Sequence, residues 1–413
     1  LAVIRALGRS GLSVLAAGPD KRSLGFYSRY ARATCLYPDP LSNEQEFVST
    51  VRDTVERHKI PFVFPVAEET AITLDKYRSD FDGLTTLALP PSDALAIALD
   101  KNKTMPIARS LGITTPQSIL PKTIEEALAF ADRIGFPIVM KPRVSYGRIG
   151  TDFGFKVDYA RDNKDFARRC REFESLGEFP LLQEYCPGVK VNHGILCADG
   201  ELRGIYQYEG EREFPATGGI TSLHLSTPVD PLLREWTKTL VRKLGWDGVA
   251  MIEYKVDKLT NRPVLMEING RFWSPQSAAN KLGLNFPHAL YCYLRDGQCP
   301  SMDESYPIGK RNRFLMGDIS SLGSIWLGMC PGYLNPVPGR WQALWHFLRD
   351  FRPGVQYDVL DMHDLDPSLR YLLSIPVEAL RKLRKILRER RTRNQAGPAG
   401  SAEQHRLADK SAR

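Results

Sequence analysis

The segment "LMEINGRF", Leu265 to Phe272, sets Glu267, Asn269 and Arg271 at alternate positions among apolar neighbours. In an extended chain alternate side chains share a face, so a carboxylate, an amide and a guanidinium would stand in a row while Met266, Ile268 and Phe272 point the other way. Such a face can meet water, with Glu267 and Arg271 forming a weak exposed ion pair. It can equally meet a metal ion and a polyphosphate. The second option gains from "GVAMIEYKV", Gly248 to Val256, which puts Glu253 on a strand expected to pair with the first across a turn near Asn261. Glu253, Glu267 and Asn269 would then bring hard oxygen donors to one point. Two carboxylates completed by water and phosphate oxygens suit Mg2+, with Mn2+ as a substitute, better than zinc or calcium. Arg271, two residues further along the same face, would reach past the metal to an oxygen where negative charge gathers.

Two lysines precede these residues, Lys101 and Lys141. Lys141 ends the apolar run "FPIVMKP", where an ammonium is expensive to bury without an anion. The competing reading is a strand-end lysine whose stem is buried and whose head reaches solvent. Beyond it "VSYGRIGTDFG", Val144 to Gly154, leaves backbone N–H groups free to cradle phosphate, with Arg148 as an added contact. This loop matches neither G-x-G-x-x-G nor the Walker pattern, so the common nucleotide folds gain no support.

The elements that must hold these groups read as α/β followed by α+β. Residues 1–95 give a helix, the apolar strand Leu12 to Ala17, and two more short parallel strands in "IPFVFPV" and "LTTLALP", separated by helices. The strand that should precede the first helix is expected to lie outside this sequence. From "ALDKNKTMPIARSLGITTP" a helix stopped by Gly112 leads into a unit with a helix over Thr123 to Ile134, the Lys141 strand, a helix near Asp165 to Phe173 and the strand "FPLLQEYCPG". Antiparallel strands follow in "VNHGILCADG", "ELRGIYQYEG", "GVAMIEYKV" and "RPVLMEING", with turns at Asp199-Gly200 and near Asn261.

Composition sets the boundaries of function. With 413 residues, 43% hydrophobic and 25% charged, the chain can build two or three cores. Seven scattered cysteines without C-x-x-C indicate neither a disulfide framework nor a zinc site, and point to a reducing, cytoplasmic compartment. Net charge is +8, yet Arg381 to Arg393 alone hold eight Lys or Arg against Glu389, leaving the rest near +1. A general nucleic-acid surface therefore has no support. No apolar run is long enough to cross a bilayer.

Taken in order, "DKNKTMPIARSLGITTP", "FPIVMKP", "LLQEYCPG", "FPATGGITSLH", "GWDGVAMIEYK" and "LMEINGRF" resemble the ATP-grasp superfamily, of the carboxylate–amine ligase and carbamoyl-phosphate-synthase type, over residues 2–300. The resemblance implies an ATP-grasp domain over 96–300 with a lid at about 116–180, preceded by a small Rossmann-like pre-ATP-grasp domain. It implies that Lys101 and Lys141 contact ATP phosphates, that the linker through Gln183, Glu184, Tyr185 and Cys186 holds adenine, and that Glu253, Glu267 and Asn269 hold magnesium. Lys141 and Arg271 would serve the chemistry itself. That chemistry is activation of a carboxylate as an acyl phosphate for attack by an amine, with bicarbonate activation or a non-catalytic scaffold as alternatives. One departure is notable. Where the family often has an acid for the ribose hydroxyls, this chain has Val189, Lys190, Asn192 and His193; His193 is the candidate, a structural histidine the competing reading. "EREFPATGGITSLHLST", Glu211 to Thr227, would read the acceptor, with Arg212 on its carboxylate.

Residues 301–413 form a helical extension with a basic amphipathic helix and a disordered tail. Trp341, Leu344, Trp345 and Leu348 share a helical face, as do Val377, Leu380, Leu383 and Leu387. Packing on the body is the expected use of these faces. A peripheral contact of 377–393 with the inner face of a membrane is the other. Composition leaves room for a homodimer.

Overall fold

The structure, a computed structural model, describes residues 1–141, 157–175, 179–214, 216, 218–302, 305–328, 330, 334 and 337–395, with side chains at all of these except 172, 174, 175 and 382–395. The chain starts with α1 (Ala2–Arg9), β1 (Val14–Gly18), β2 (Ala31–Leu36), α2 (Glu44–His58), β3 (Phe62–Val63), α3 (Glu68–Lys76), β4 (Thr86–Leu87) and α4 (Ser92–Leu99). β1 pairs with β2 and β3 with β4, both parallel, as two separate two-stranded sheets. The sequence reading missed β2, whose "ARATCL" alternates small and polar residues without an apolar run.

Next come α5 (Lys101–Ser110), β5 (Ser118–Ile119), α6 (Ile124–Ile134), β6 (Ile138–Lys141), β7 (Asp158–Ala160), α7 (Asn163–Ser175) and β8 (Leu181–Glu184). The strands form an antiparallel sheet in the order β5-β8-β6-β7. Ile138, Met140 and Leu182 point to one side, into a core with Phe130 and Phe166 from the helices. Strand alternation sends Val139, Lys141, Leu181 and Gln183 to the other side. Asp100 caps α5 by accepting the Asn102 N–H at 2.9 Å, which fixes Lys101 in the first turn.

The largest sheet is built from β9 (Val189–Ala198), β10 (Glu201–Phe214), β11 (Ile220–Ser226), then, after α8 (Pro231–Leu244), β12 (Gly248–Asp257) and β13 (Arg262–Asn269). The remaining elements are α9 (Gln276–Lys281), α10 (Phe286–Asp296), β14 (Arg311–Arg313), α11 (Leu315–Trp326), α12 (Arg340–Arg349), β15 (Gln356–Tyr357) and α13 (Leu365–Gln395). Its order is β13-β12-β9-β10-β11-β14-β15, antiparallel except for the last pair. One face, with Val191, Ile195, Ile252 and Tyr254, packs on α8 and α5 around the fully buried Trp246. Each such large side chain contributes ~2–3 kcal/mol of burial. Part of the opposite face packs on α9 and α10 through Leu196, Tyr206, Val249 and Phe286. Positive φ at Asp199 and Asn261 bears out both expected turns.

Two expectations for the region after residue 300 fail. It is not only helical, because β14 and β15 extend the main sheet; strands of three and two residues carry no periodic signal. Nor do the two tryptophans of α12 pack inward: Trp341, Trp345 and Leu348 face solvent, and of this helix only Ala343 is buried. The region returns to the start of the chain, where Arg5 donates to Asp364 at 2.8 Å. Among the described residues no helix is long and apolar enough to cross a membrane. The tail, 396–413, and the side chains of Leu383 and Leu387 lie outside the described residues.

Candidate functional site

The antiparallel register sets Glu253 opposite Glu267 and Met251 opposite Asn269, so the paired strands do bring the three oxygen donors to one face. A register slip between Glu253 and Tyr254 falls beside them, a common device for re-aiming a strand residue. On the other side β9 sets Asn192 opposite Glu253 and Lys190 opposite Lys255. Lys101, from the start of α5, lies 3.3 Å from Glu267, and Lys190 lies 3.3 Å from Glu253 and 3.8 Å from Glu213. Asn269 donates to Glu267 at 3.1 Å. Arg271 donates to the Phe272 carbonyl at 3.0 Å and lies 3.6 Å from Glu68, the first residue of α3.

Lys141 comes to this cluster from the second sheet. Burial pushes its ammonium down to about 8, and Lys101 and Lys190 add to the effect while Glu267 and Glu253 oppose it. Two lysines 40 residues apart in sequence thus act on the same carboxylate. Burial works against Glu267 as well, yet Lys101, Lys141, the Asn269 amide and Lys190 together bring it down to about 2. Glu253 moves the opposite way: burial raises it, Glu267 and Glu213 reinforce that, and Lys190 and Lys141 fall short of cancelling it. Glu68 is likewise raised, by burial first and then by Glu267, against Arg271 and Lys101. For Lys190 burial is overcome by Glu253, Glu213 and Glu267, which raise it.

The linker runs along the same side. Gln183 is fully buried, and neither its side-chain oxygen nor its nitrogen has a partner among the described residues. An unpartnered buried amide costs about 1–3 kcal/mol, so a polar ligand on that face would relieve it. Tyr185 donates to the Leu334 carbonyl at 2.7 Å, and the Cys186 carbonyl accepts from Lys255 at 3.0 Å. Burial, reinforced by Glu184, pushes the Cys186 thiol up to about 11. Glu184 accepts the Gln117 N–H at 3.0 Å and so ties the linker to the chain entering the second sheet.

Two sequence-based assignments are corrected. His193 pairs with Ile252, not with Glu253, and strand alternation therefore turns it to the α8 face. There its ring nitrogens meet Thr237 at 2.8 Å and Gln207 at 2.7 Å, and burial pushes it down to about 4. It is a core histidine and does not line the carboxylate face. Arg212 is committed to acids of the C-terminal region: it forks onto Asp318 at 2.7 and 2.8 Å and reaches Asp350 at 2.6 Å. Arg148 and its glycine-rich loop lie outside the described residues.

Sequence reasoning missed Lys190, Glu213 and Glu68. Lys190 and Asn192 do alternate with Val189 and Val191 just as Glu267 and Asn269 alternate with their neighbours, and that pattern could have found Lys190. Lys190 also donates to the Gly219 carbonyl at 2.6 Å, while Glu213 accepts the Gly219 N–H at 2.9 Å. Gly218 has φ +131°, and a Cβ there would sit 2.8 Å from the Tyr159 hydroxyl of β7. Only glycine lets this turn lie between the two sheets.

The donor set can be weighed for a metal. Among the described residues no group of three or more His, Cys, Asp or Glu side chains gathers as a metal cage would. Two carboxylates and an amide oxygen suit an ion that keeps water and takes the rest of its shell from a phosphate ligand, which is the behaviour of magnesium. The lysines around them suit the same phosphate.

Residues 100–174 match the family model described as the carbamoyl-phosphate synthase L chain, ATP binding domain. The biotin carboxylase domain of 2-oxoglutarate carboxylase from Hydrogenobacter thermophilus, solved with MgADP, ADP and bicarbonate, aligns with a TM-score of 0.59 and 15% identity, over 75% of this chain and 70% of that one. The chain has the ATP-grasp fold. A D-alanine–D-alanine ligase of Nitrosomonas eutropha is 26% identical over 184 residues, 43% of this chain and 58% of that protein. A carbamoyl phosphate synthase large chain of Paenarthrobacter aurescens is 23% identical over 301 residues, 67% of this chain and 25% of that protein. The chain thus spans less than two thirds of the length of either relative.

Proposed function

We infer that this ATP-grasp chain is an ATP- and magnesium-dependent ligase that activates a carboxylate as an acyl phosphate and joins it to an amine. The observation that carries this is the single face on which Glu253, Glu267 and Asn269 stand among Lys101, Lys141, Lys190 and Arg271. A protein that merely kept the fold has no use for so many charges gathered on one face of a half-buried sheet. Glu253, Glu267 and Asn269 would hold the magnesium ion, which when bound neutralises triphosphate charge. Lys101 and Lys141 bind phosphate oxygens, and Gln183 with the linker to Cys186 receives the base.

The chemistry then follows from charge. A carboxylate oxygen attacks the γ-phosphorus, the bond to the β-phosphate oxygen breaks, and ADP leaves. An amine next attacks the acyl carbon and inorganic phosphate departs. Lys141 and Arg271 meet the negative charge that accumulates in these steps, and the chain otherwise positions the reactants. Residues 116–180, with the four-stranded sheet over the site, form the lid that keeps water from the acyl phosphate. Residues 1–95 form the Rossmann-like domain that precedes the ATP-grasp domain of 96–300, and 301–413 form an extension.

The similarity to carbamoyl phosphate synthase large chains supports a second reading in which the activated acid is bicarbonate. One experiment separates the two. ADP release is followed with magnesium and pooled carboxylates and amines, and separately with bicarbonate alone, with mass spectrometry of any product. The ligase reading expects release that requires both organic pools and is abolished in Glu267→Ala; release unchanged in that variant removes Glu267 from the mechanism.

A further inference from the structure

Helices α12 and α13 each present an apolar stripe to solvent, where a folded chain normally hides one. On α12 the stripe is Trp341, Trp345 and Leu348, which are 75%, 65% and 54% exposed, with Phe351 just beyond at 51%. Trp326 of α11 stands against Trp341 edge to face and is itself partly exposed. On α13 the inward side is already occupied: Tyr371 and Ile375 pack with Leu315 and Met316, and Tyr371 accepts the Met316 N–H at 2.8 Å. Leu369, Leu372, Leu373, Val377 and Leu380 therefore lie on the free side, at the spacing of a second helical stripe.

Charge singles out what covers them. Arg340, Arg349 and Arg352 are exposed around α12, while Asp350, the only acid between them in sequence, is buried on Arg212 and lies 3.6 Å from Arg349. The α13 backbone continues as helix through the segment 381–393, where eight Lys or Arg face one Glu in the sequence. A second copy of the chain would bring two such basic segments together, and a polyanion without an apolar layer would leave the leucines in water. A bilayer with anionic headgroups covers both: the acyl boundary takes the leucines, the headgroup zone takes tryptophan rings, and the anionic surface takes the arginines and lysines.

We propose that α12 and α13 form a docking surface for an anionic lipid bilayer, on which the chain rests without crossing it. The stripes lie outside the carboxylate site, so docking and ligase chemistry stand or fall separately. The test is sedimentation of the full chain with phosphatidylglycerol-containing vesicles and with pure phosphatidylcholine vesicles, together with tryptophan emission and light-scattering mass. The chain is expected to sediment with the anionic vesicles only, with a blue shift of emission, and to be released near 1 M salt, where the screening length falls to about 3 Å. Leu373→Glu and Trp345→Glu, both at exposed positions where the fold makes no demand, are expected to weaken binding at least about tenfold, the factor carried by one buried large apolar side chain. Equal sedimentation with both vesicle types, sedimentation with neither, or binding unchanged in both variants would overturn the proposal. So would a dimer in solution that either variant dissolves, since a second copy would then own the face.

Discussion

Lys190 is the residue that ties the carboxylate face together. It lies against Glu253 and Glu213 and donates to the Gly219 carbonyl. Removing one partner of a buried ion pair typically costs about 3–5 kcal/mol, because the other charge is left uncompensated. Lys190→Met is therefore expected to lower the thermal midpoint, and millimolar magnesium to restore more of it in the variant than in the parent chain. An equal response of the two to magnesium would disconnect Lys190 from the metal ligands. Lys141 makes a second prediction. Its ammonium is held down to about 8, chiefly by burial, and a bound triphosphate would favour the charged form and raise it. Nucleotide binding should then take up a proton above pH 8, and affinity should fall as pH rises from 8 towards 10. Calorimetry in buffers of different ionisation enthalpy checks this, and Lys141→Met should lose the proton uptake. Legibility at this scale was uneven. Glu253, Glu267, Asn269 and Arg271 were readable because alternation on two paired strands is a local signal. Lys190 shows the same alternation and was passed over, while Glu213 and Glu68 were not readable, because their part depends on which elements become neighbours. For His193 the competing structural reading holds: in "VKVNHGIL" it alternates with Lys190 and Asn192 and shares the face of Val189 and Val191, since one residue of register decides the face.

At the level of elements, ion pairs join the β-strands to the C-terminal helices beside the apolar cluster of Leu315, Met316 and Tyr371. Arg212 on β10 and Arg313 on β14 both reach Asp318 of α11, and Arg212 also reaches Asp350 after α12. Arg212→Ala would leave the buried Asp350 with only the longer contact to Arg349 at 3.6 Å and Asp318 with Arg313 alone, a loss of up to about 3 kcal/mol. Urea denaturation should register that loss, and limited proteolysis should open the segment after residue 314 first; cleavage at the parent rate would show that Arg212 is not the tie. His193 fastens another junction, holding β10 through Gln207 and α8 through Thr237. Its folded pKa of about 4 lies below the ordinary 6.5, so between these values the unfolded chain binds the proton and the folded chain does not. Stability is then lost as pH falls from 6.5 to 4, on the order of 3 kcal/mol for this group. His193→Gln should show a shallower decline of thermal midpoint over that range. Strands β9, β10, β12 and β13 of the main sheet and the helices α5 and α6 were readable from periodicity and caps, such as Thr123 accepting from Glu126 before Gly135 ends α6; β11 and α8 were passed over. β14 and β15 were not readable, since strands of three and two residues are made by the sheet they join and not by their own composition.

Across the whole molecule the arrangement has one logic. The main sheet carries the acids, the second sheet and α5 bring lysines to them, and α3 adds Glu68 beside Arg271. The order of motifs along the sequence was enough to read the ATP-grasp fold, because each motif marks a position in one shared topology. For the stripes of α12 and α13 the sequence left an inward and an outward use open, because amphipathic spacing shows that a helix has an apolar face and not which way it turns. The central claim is that Glu253, Glu267 and Asn269 hold the magnesium that accompanies a triphosphate bound by Lys101 and Lys141. Titration calorimetry of ATP into the full chain, with magnesium and with a chelator, in parallel with Glu267→Gln, tests it most directly. The account predicts binding that magnesium strengthens at least about tenfold, a difference of ~1.4 kcal/mol, with that gain lost in Glu267→Gln. ATP binding that is indifferent to magnesium, or a magnesium effect that survives the substitution intact, would contradict it.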